Sequence, residues 1–190
     1  MRKNSMSERQ LSREQAMEKV WEEHLASEFK SKSAEAAINA MVERSSVNHV
    51  PVMTGGVGRK QLTHFYDRYF IPQMPPDAQI IRVSRMIGHD RLVDEFVIKF
   101  THTLQMDWLL PGVPPTNKPV EVATVTVVQF QDGKMASERI YWDRASVLVQ
   151  LGLLDPGNLP VAGVATARKV LDAQLSSNAL MKRILRDEDL

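Results

Sequence analysis

The order of elements predicts an α+β fold, with helices first, then a run of strands, then helices again. Two observations carry this. Ala16, Met17, Val20, Trp21, Leu25 and Phe29 recur at the gaps of a helix face. Residues 79–143 instead hold β-branched runs broken by turn signals, with no βαβ alternation.

Residues 1–10 read as a disordered start. Ser12 and Gln15 have capping-box spacing, so the first helix is expected to open there. A second helix is expected over Ser33–Arg44, with Glu35 near its positive end. Val47–Met53, which contains Pro51, reads as a short edge strand or loop, and Thr54–Gly58 as a turn. A third helix spans Arg59–Phe70 and stops before Pro72. Gln79–Met86 is expected to pair with Leu92–Thr103 across Gly88-His89-Asp90-Arg91. Leu109–Pro119 is a proline-rich connection. Val120–Phe130 is the strongest strand, because its β-branched residues suit a pleated surface. Asp132-Gly133 marks a hairpin turn into Met135–Asp143. Ala145–Leu151 is a short helix ended by Gly152, and 161–186 suggests a final helix. The organisation is then a core domain over 11–155 and a helical extension over 156–190.

Composition narrows the function. The 190 residues carry 24 basic and 23 acidic side chains, so no basic excess points to nucleic acid or an anionic membrane. The polar start MRKNSMSERQ lacks the apolar region of a secretory signal, and no apolar run is long enough to span a membrane. With no cysteine there is no disulfide, thiolate metal site or cysteine nucleophile, and a reducing, cytoplasmic setting is expected. No G-x-S-x-G elbow is present either. The histidines at 24, 49, 64, 89 and 102 show no zinc-ligand spacing, so no metal and no other cofactor is expected. Gly55-Gly56-Val57-Gly58 precedes a helix but lacks Walker spacing.

The last hairpin is the most specific segment. Asp132-Gly133-Lys134 leads into Glu138-Arg139-Ile140-Tyr141-Trp142-Asp143, then Leu148-Val149-Gln150-Leu151-Gly152. This resembles the closing segment of the SnoaL-like polyketide cyclases, and the upstream Phe65-Tyr66 helix agrees. The resemblance covers residues 12–155. It places the chain in the wider group built like nuclear transport factor 2 and ketosteroid isomerase. It implies a cone of strongly bent antiparallel sheet wrapped by helices around an internal pocket, and a homodimer through the outer sheet face. That group holds isomerases, cyclases, dehydratases and non-enzymes, so the fold alone does not fix the activity.

Asp143 stands where the resemblance puts an acid/base aspartate, and burial there would raise its pKa for proton transfer. It also stands where a helix N-cap belongs. His102 ends the row Phe96, Ile98, Phe100, which should face inward; it is either the proton-exchanging partner or a satisfied structural histidine. Tyr141 shares a face with Asp143 in an undistorted strand, with Glu138 and Trp142 opposite; a bulge would exchange the two sets. Asp107 and Trp108 precede the loop Leu109–Pro115, a candidate lid or a stiff connector. His49 is a candidate pocket residue, as is Phe100. Glu95 should lie on the outer face near Lys99.

The expected function is cofactor-free acid/base chemistry on an apolar carbonyl compound: isomerisation, aldol-type cyclisation or dehydration. Asp143 and His102 would be catalytic, and Tyr141, Trp108, Asp107, His49, Phe100 and Trp142 would contact substrate. The alternatives are a non-catalytic domain that binds a hydrophobic small molecule, and a dimerisation module whose interior is packed shut.

Overall fold

Six strands hydrogen-bond in the order β2-β1-β6-β5-β4-β3, and the sheet curls strongly without closing. The computed structural model describes residues 2–183, and the side chains of 12–182. Helix α1 spans Arg2–Phe29, so it begins upstream of Ser12. Helix α2 (Ala34–Asn39) follows, with the Ser33 hydroxyl accepting from the Ala36 N–H at 3.2 Å. Then come β1 (Met41–His49), β2 (Thr54–Val57) and α3 (Gly58–Phe65). A π-helical turn over Tyr66–Phe70 extends α3, with the Ile71 N–H reaching the Tyr66 carbonyl at 3.2 Å. The rest of the sheet is β3 (Gln79–Ile87), β4 (Arg91–Thr101), β5 (Pro119–Gln131) and β6 (Lys134–Trp142). Helices α4 (Arg144–Leu151) and α5 (Ala165–Leu171) and a short 3₁₀ turn (Met181–Arg183) complete the chain.

The sheet is mixed, not purely antiparallel, because β1 lies parallel to β6. This long-range pairing ends the expected Ser33–Arg44 helix early. After the cap at Ala40 the backbone bonds to β6 instead of continuing its own turns. The Gly-rich segment expected as a turn is edge strand β2, and β1 beside it is an interior strand. Gly55 makes that pairing possible: its φ is +136°, and a Cβ there would overlap the Val47 carbonyl. Asp132 and Gly133 both adopt positive φ, which gives the tight turn between β5 and β6.

A polar clamp sets the rotation of α1. Arg85 on β3 bonds to buried Asp94 on β4, and to Glu18 at 3.0 Å and Glu22 at 2.7 Å on α1. The Trp21 indole donates to Asp94 at 2.7 Å. With Met17 and Trp21 turned inward, the same stripe carries His24 and Glu28 into the core. The expected final helix is short: α5 packs on the outer face of the sheet, and the portion of 161–186 beyond 183 lies outside the described residues.

Candidate functional site

Inside the curl lies a cavity of about 50 Å³, enough for a few waters. Its walls are mainly apolar. Leu25 and Phe29 come from α1, Phe70 from the π turn, Phe96, Ile98 and Phe100 from β4, and Val122 and Ile140 from β5 and β6. A ring-sized ligand would have to push these side chains apart, since drug-sized pockets run to several hundred Å³.

At one end sits a group of polar side chains that is almost fully buried. His24 is 0% exposed, Glu28 4% and Glu138 6%. His24 Nε2 is 3.0 Å from Glu28 Oε1 and 3.7 Å from Glu138 Oε2. The Tyr66 hydroxyl oxygen is 3.4 Å from the same nitrogen. His24 Nδ1 faces the Ala37 carbonyl at 3.3 Å. With a carbonyl at one nitrogen and carboxylates at the other, the ring is served best as a doubly protonated imidazolium. Burial alone would lower its pKa, but the Glu28 charge and the nearby Glu138 overcome that and lift it to about 10. Glu138 is pushed upward by burial, opposed by His24, and raised further by the Glu28 charge. Its carboxyl is thereby drawn toward the neutral, proton-carrying form. Burial and the same carboxylates also hold the Tyr66 phenol well above its ordinary range.

The expected site residues divide in two. Phe100, His49, Trp108 and Trp142 line the cavity. Thr54 anchors Trp108 by donating to its carbonyl at 2.6 Å. His49 packs among Phe65, Phe70 and Trp108, and burial lowers its pKa to about 3, so it is neutral.

The other four are not in the cavity wall. Asp143 is exposed, and its carboxylate accepts from the Ser146 N–H at 3.1 Å as the N-cap of α4. It is a helix cap, not the buried acid/base group expected. Tyr141 is 43% exposed on the outer face. His102 is buried but lies past the end of β4, where Nδ1 accepts from the Thr116 N–H at 3.3 Å and fastens a loop. Asp107 also shapes a loop. It accepts from the Gly112 N–H at 2.9 Å, from Gln105 at 2.9 Å and from Gln73 at 3.0 Å, which lowers its pKa. Glu95 faces outward, but its partner is Ser84, while Lys99 pairs with Glu121.

The reason Tyr141 and Asp143 point away is a bulge near Ala136, where the β5–β6 register shifts. Met135 is buried, and counting in twos from it would turn 141 and 143 inward. The extra residue switches the faces, so Glu138, Ile140 and Trp142 point in. Neither His24 nor Glu28 belongs to a recognisable motif. Their signal is positional: Met17, Trp21, His24 and Glu28 follow gaps of four, three and four on a buried stripe.

His24, Glu28 and Glu138 offer ligand atoms within 4.8 Å of one another, close enough to share a cation. A metal would need the Nε2 lone pair free. The contacts present, with Nε2 against one carboxylate and Nδ1 against a carbonyl, suit the protonated ring instead.

The family model of the SnoaL-like polyketide cyclases matches residues 14–151. The chain belongs to the SnoaL-like polyketide cyclase family. Solved structures share this SnoaL-like fold at low identity. AclR, a putative hydroxylase from Streptomyces galilaeus, is 19% identical with a TM-score of 0.58, over 75% of this chain and 88% of that one. SalBIII, an epoxide hydrolase/cyclase-like enzyme of pyran ring formation in salinomycin, is 15% identical with a TM-score of 0.53, over 68% and 92%. TerC, co-crystallised with polyporic acid, is 12% identical with a TM-score of 0.56, over 72% and 98%. No curated protein matches the sequence. Among the described residues, no helix is long and apolar enough to cross a membrane.

Proposed function

We propose that this SnoaL-like protein moves protons on an uncharged, apolar carbonyl compound held in the cavity, without a cofactor. The observation that carries the reading is the Glu138 carboxyl, which is buried, drawn toward its protonated form, and whose Oε2 has only the His24 ring at 3.7 Å, beyond hydrogen-bond range. Glu138 donates its proton to the substrate carbonyl oxygen, while the Glu28 carboxylate, also in the cavity wall, takes a proton from the adjacent carbon. An enol results, and its collapse completes an isomerisation, a cyclisation or a dehydration. The negative charge passes from Glu28 to Glu138 during the step, so the His24 imidazolium faces one carboxylate throughout. The buried net charge does not change, which limits the cost of the transfer in a medium of low dielectric. His49, Phe100, Trp108 and Trp142 form the substrate-contacting wall.

The narrowness of the cavity favours a second reading, a domain that binds a hydrophobic molecule without transforming it. A second copy would pair through the outer sheet face around exposed Tyr141, beyond the area that α5 covers. A reducing, cytoplasmic setting suits a chain without cysteine.

The test is deuterium uptake next to the carbonyl of 2-tetralone in D₂O, followed by NMR. The wild type should accelerate uptake over buffer, and Glu138→Gln should return it to background. A wild type no faster than buffer would overturn the catalytic reading and leave binding alone.

A further inference from the structure

Four buried side-chain polar atoms of residues lining this one cavity have no partner within hydrogen-bond distance. One is Glu138 Oε2. The other three are His49 Nδ1, Trp108 Nε1 and Trp142 Nε1. Buried polar groups are nearly always paired, so a cluster of exceptions around one hollow calls for an occupant.

The three ring nitrogens belong to residues on β1, on the loop after β4 and at the end of β6. Glu138 and Trp142 share the inner face of β6, four residues apart, which is roughly 13 Å of strand. His49 pairs in register with Ile140, midway between them, and its ring centroid is 5.3 Å from that of Trp108. The polar lining thus runs along β6 from Glu138 past Ile140, where His49 is paired, to Trp142.

We infer that His49, Trp108 and Trp142 form a second subsite, which recognises an uncharged hydroxyl on the ligand remote from the carbonyl that Glu138 addresses. This rests on the proposed function for the position of that carbonyl. The chemistry of the nitrogens selects the group. An indole N–H only donates, so its partner must accept. The imidazole is held neutral by its aromatic surroundings, and its Nδ1 either donates or accepts according to tautomer. A hydroxyl accepts from the indoles and rotates to suit either tautomer. A carboxylate would enter this apolar region with no cation lining it to receive its charge. An ammonium would meet two groups that cannot accept.

Calorimetry with three probes tests this: 2-tetralone, 6-hydroxy-2-tetralone and 2-tetralone-6-carboxylate. The wild type should bind the hydroxy compound about tenfold more tightly than the parent ketone, the scale of one or two well-made neutral hydrogen bonds. The carboxylate should bind more weakly than the parent. Trp108→Phe and Trp142→Phe keep an aromatic ring and remove the donor; each should shrink the hydroxyl preference severalfold. Equal wild-type affinity for the parent and the hydroxy compound, tighter binding of the carboxylate, or no binding of any probe would each overturn the subsite. So would an undiminished preference in both folded Trp variants. The affinity ratio needs no turnover, so a failed deuterium-uptake assay leaves it standing, and loss of the ratio leaves the proton-transfer result standing.

Discussion

His24 and Glu28 face each other one turn apart on α1, with Nε2 3.0 Å from Oε1, and both are buried. An ion pair in this setting gains little over an apolar pair but is costly to break, because the survivor keeps its charge in the core. His24→Leu should therefore destabilise the protein by about 3–5 kcal/mol. Adding Glu28→Leu should recover much of that loss, so the double mutant would be more stable than the first single mutant. Urea denaturation of the two variants checks the sign.

The same pair sets a pH dependence. The His24 pKa is raised from 6.5 to about 10, so its stabilisation is complete below pH 6.5 and fades as pH climbs through 10. The raised Glu138 acts in the same direction, losing stability as pH rises from the ordinary carboxylate range. His49 acts oppositely. Its pKa is lowered from 6.5 to about 3, so stability drops as pH falls between those values, where only the unfolded chain takes up the proton. Stability should thus decline on the alkaline side of pH 6.5, and His24→Leu should flatten that limb. Thermal melts across pH 5–10 read it directly.

Asp143→Ala should remove a cap from α4 and cost about 1 kcal/mol, with deuterium uptake by 2-tetralone unchanged. Asp143→Asn, which still caps, should cost less. Loss of uptake in a folded Asp143→Asn protein would return the acid/base role to this position.

Gly55→Ala should loosen the sheet edge. Its backbone sits at a φ that L side chains rarely adopt, and the new Cβ meets the Val47 carbonyl. The expected loss is at least about 1 kcal/mol, with hydrogen exchange speeding up first at β2.

What could be read from the sequence depended on how local its causes were. The Asp132-Gly133 hairpin and the long strands β4 and β5 are specified by neighbouring residues, and all are present. The strand nature of 41–44 was hidden, because β1 gains its partner from β6, far along the chain. The site was half legible. Phe100, His49, Trp108 and Trp142 reached the cavity, but a carboxylate before a helix reads alike as acid or cap, and Asp143 proved to be the cap. A single extra residue at Ala136 decided which face of β6 turned inward, and no turn signal marks it. His24 and Glu28 were visible as polar residues on an apolar stripe, an anomaly that is itself a reason to suspect function.

The parallel contact between β1 and β6 has a consequence for assembly. His24 enters from the first helix and Glu138 from the last strand, so the two side chains meet only once β6 is in place. A nascent chain released before β6 would carry a histidine and a glutamate on the greasy side of α1 without their third member. The buried cluster of His24, Glu28 and Glu138 is therefore complete only when β6 has joined the sheet.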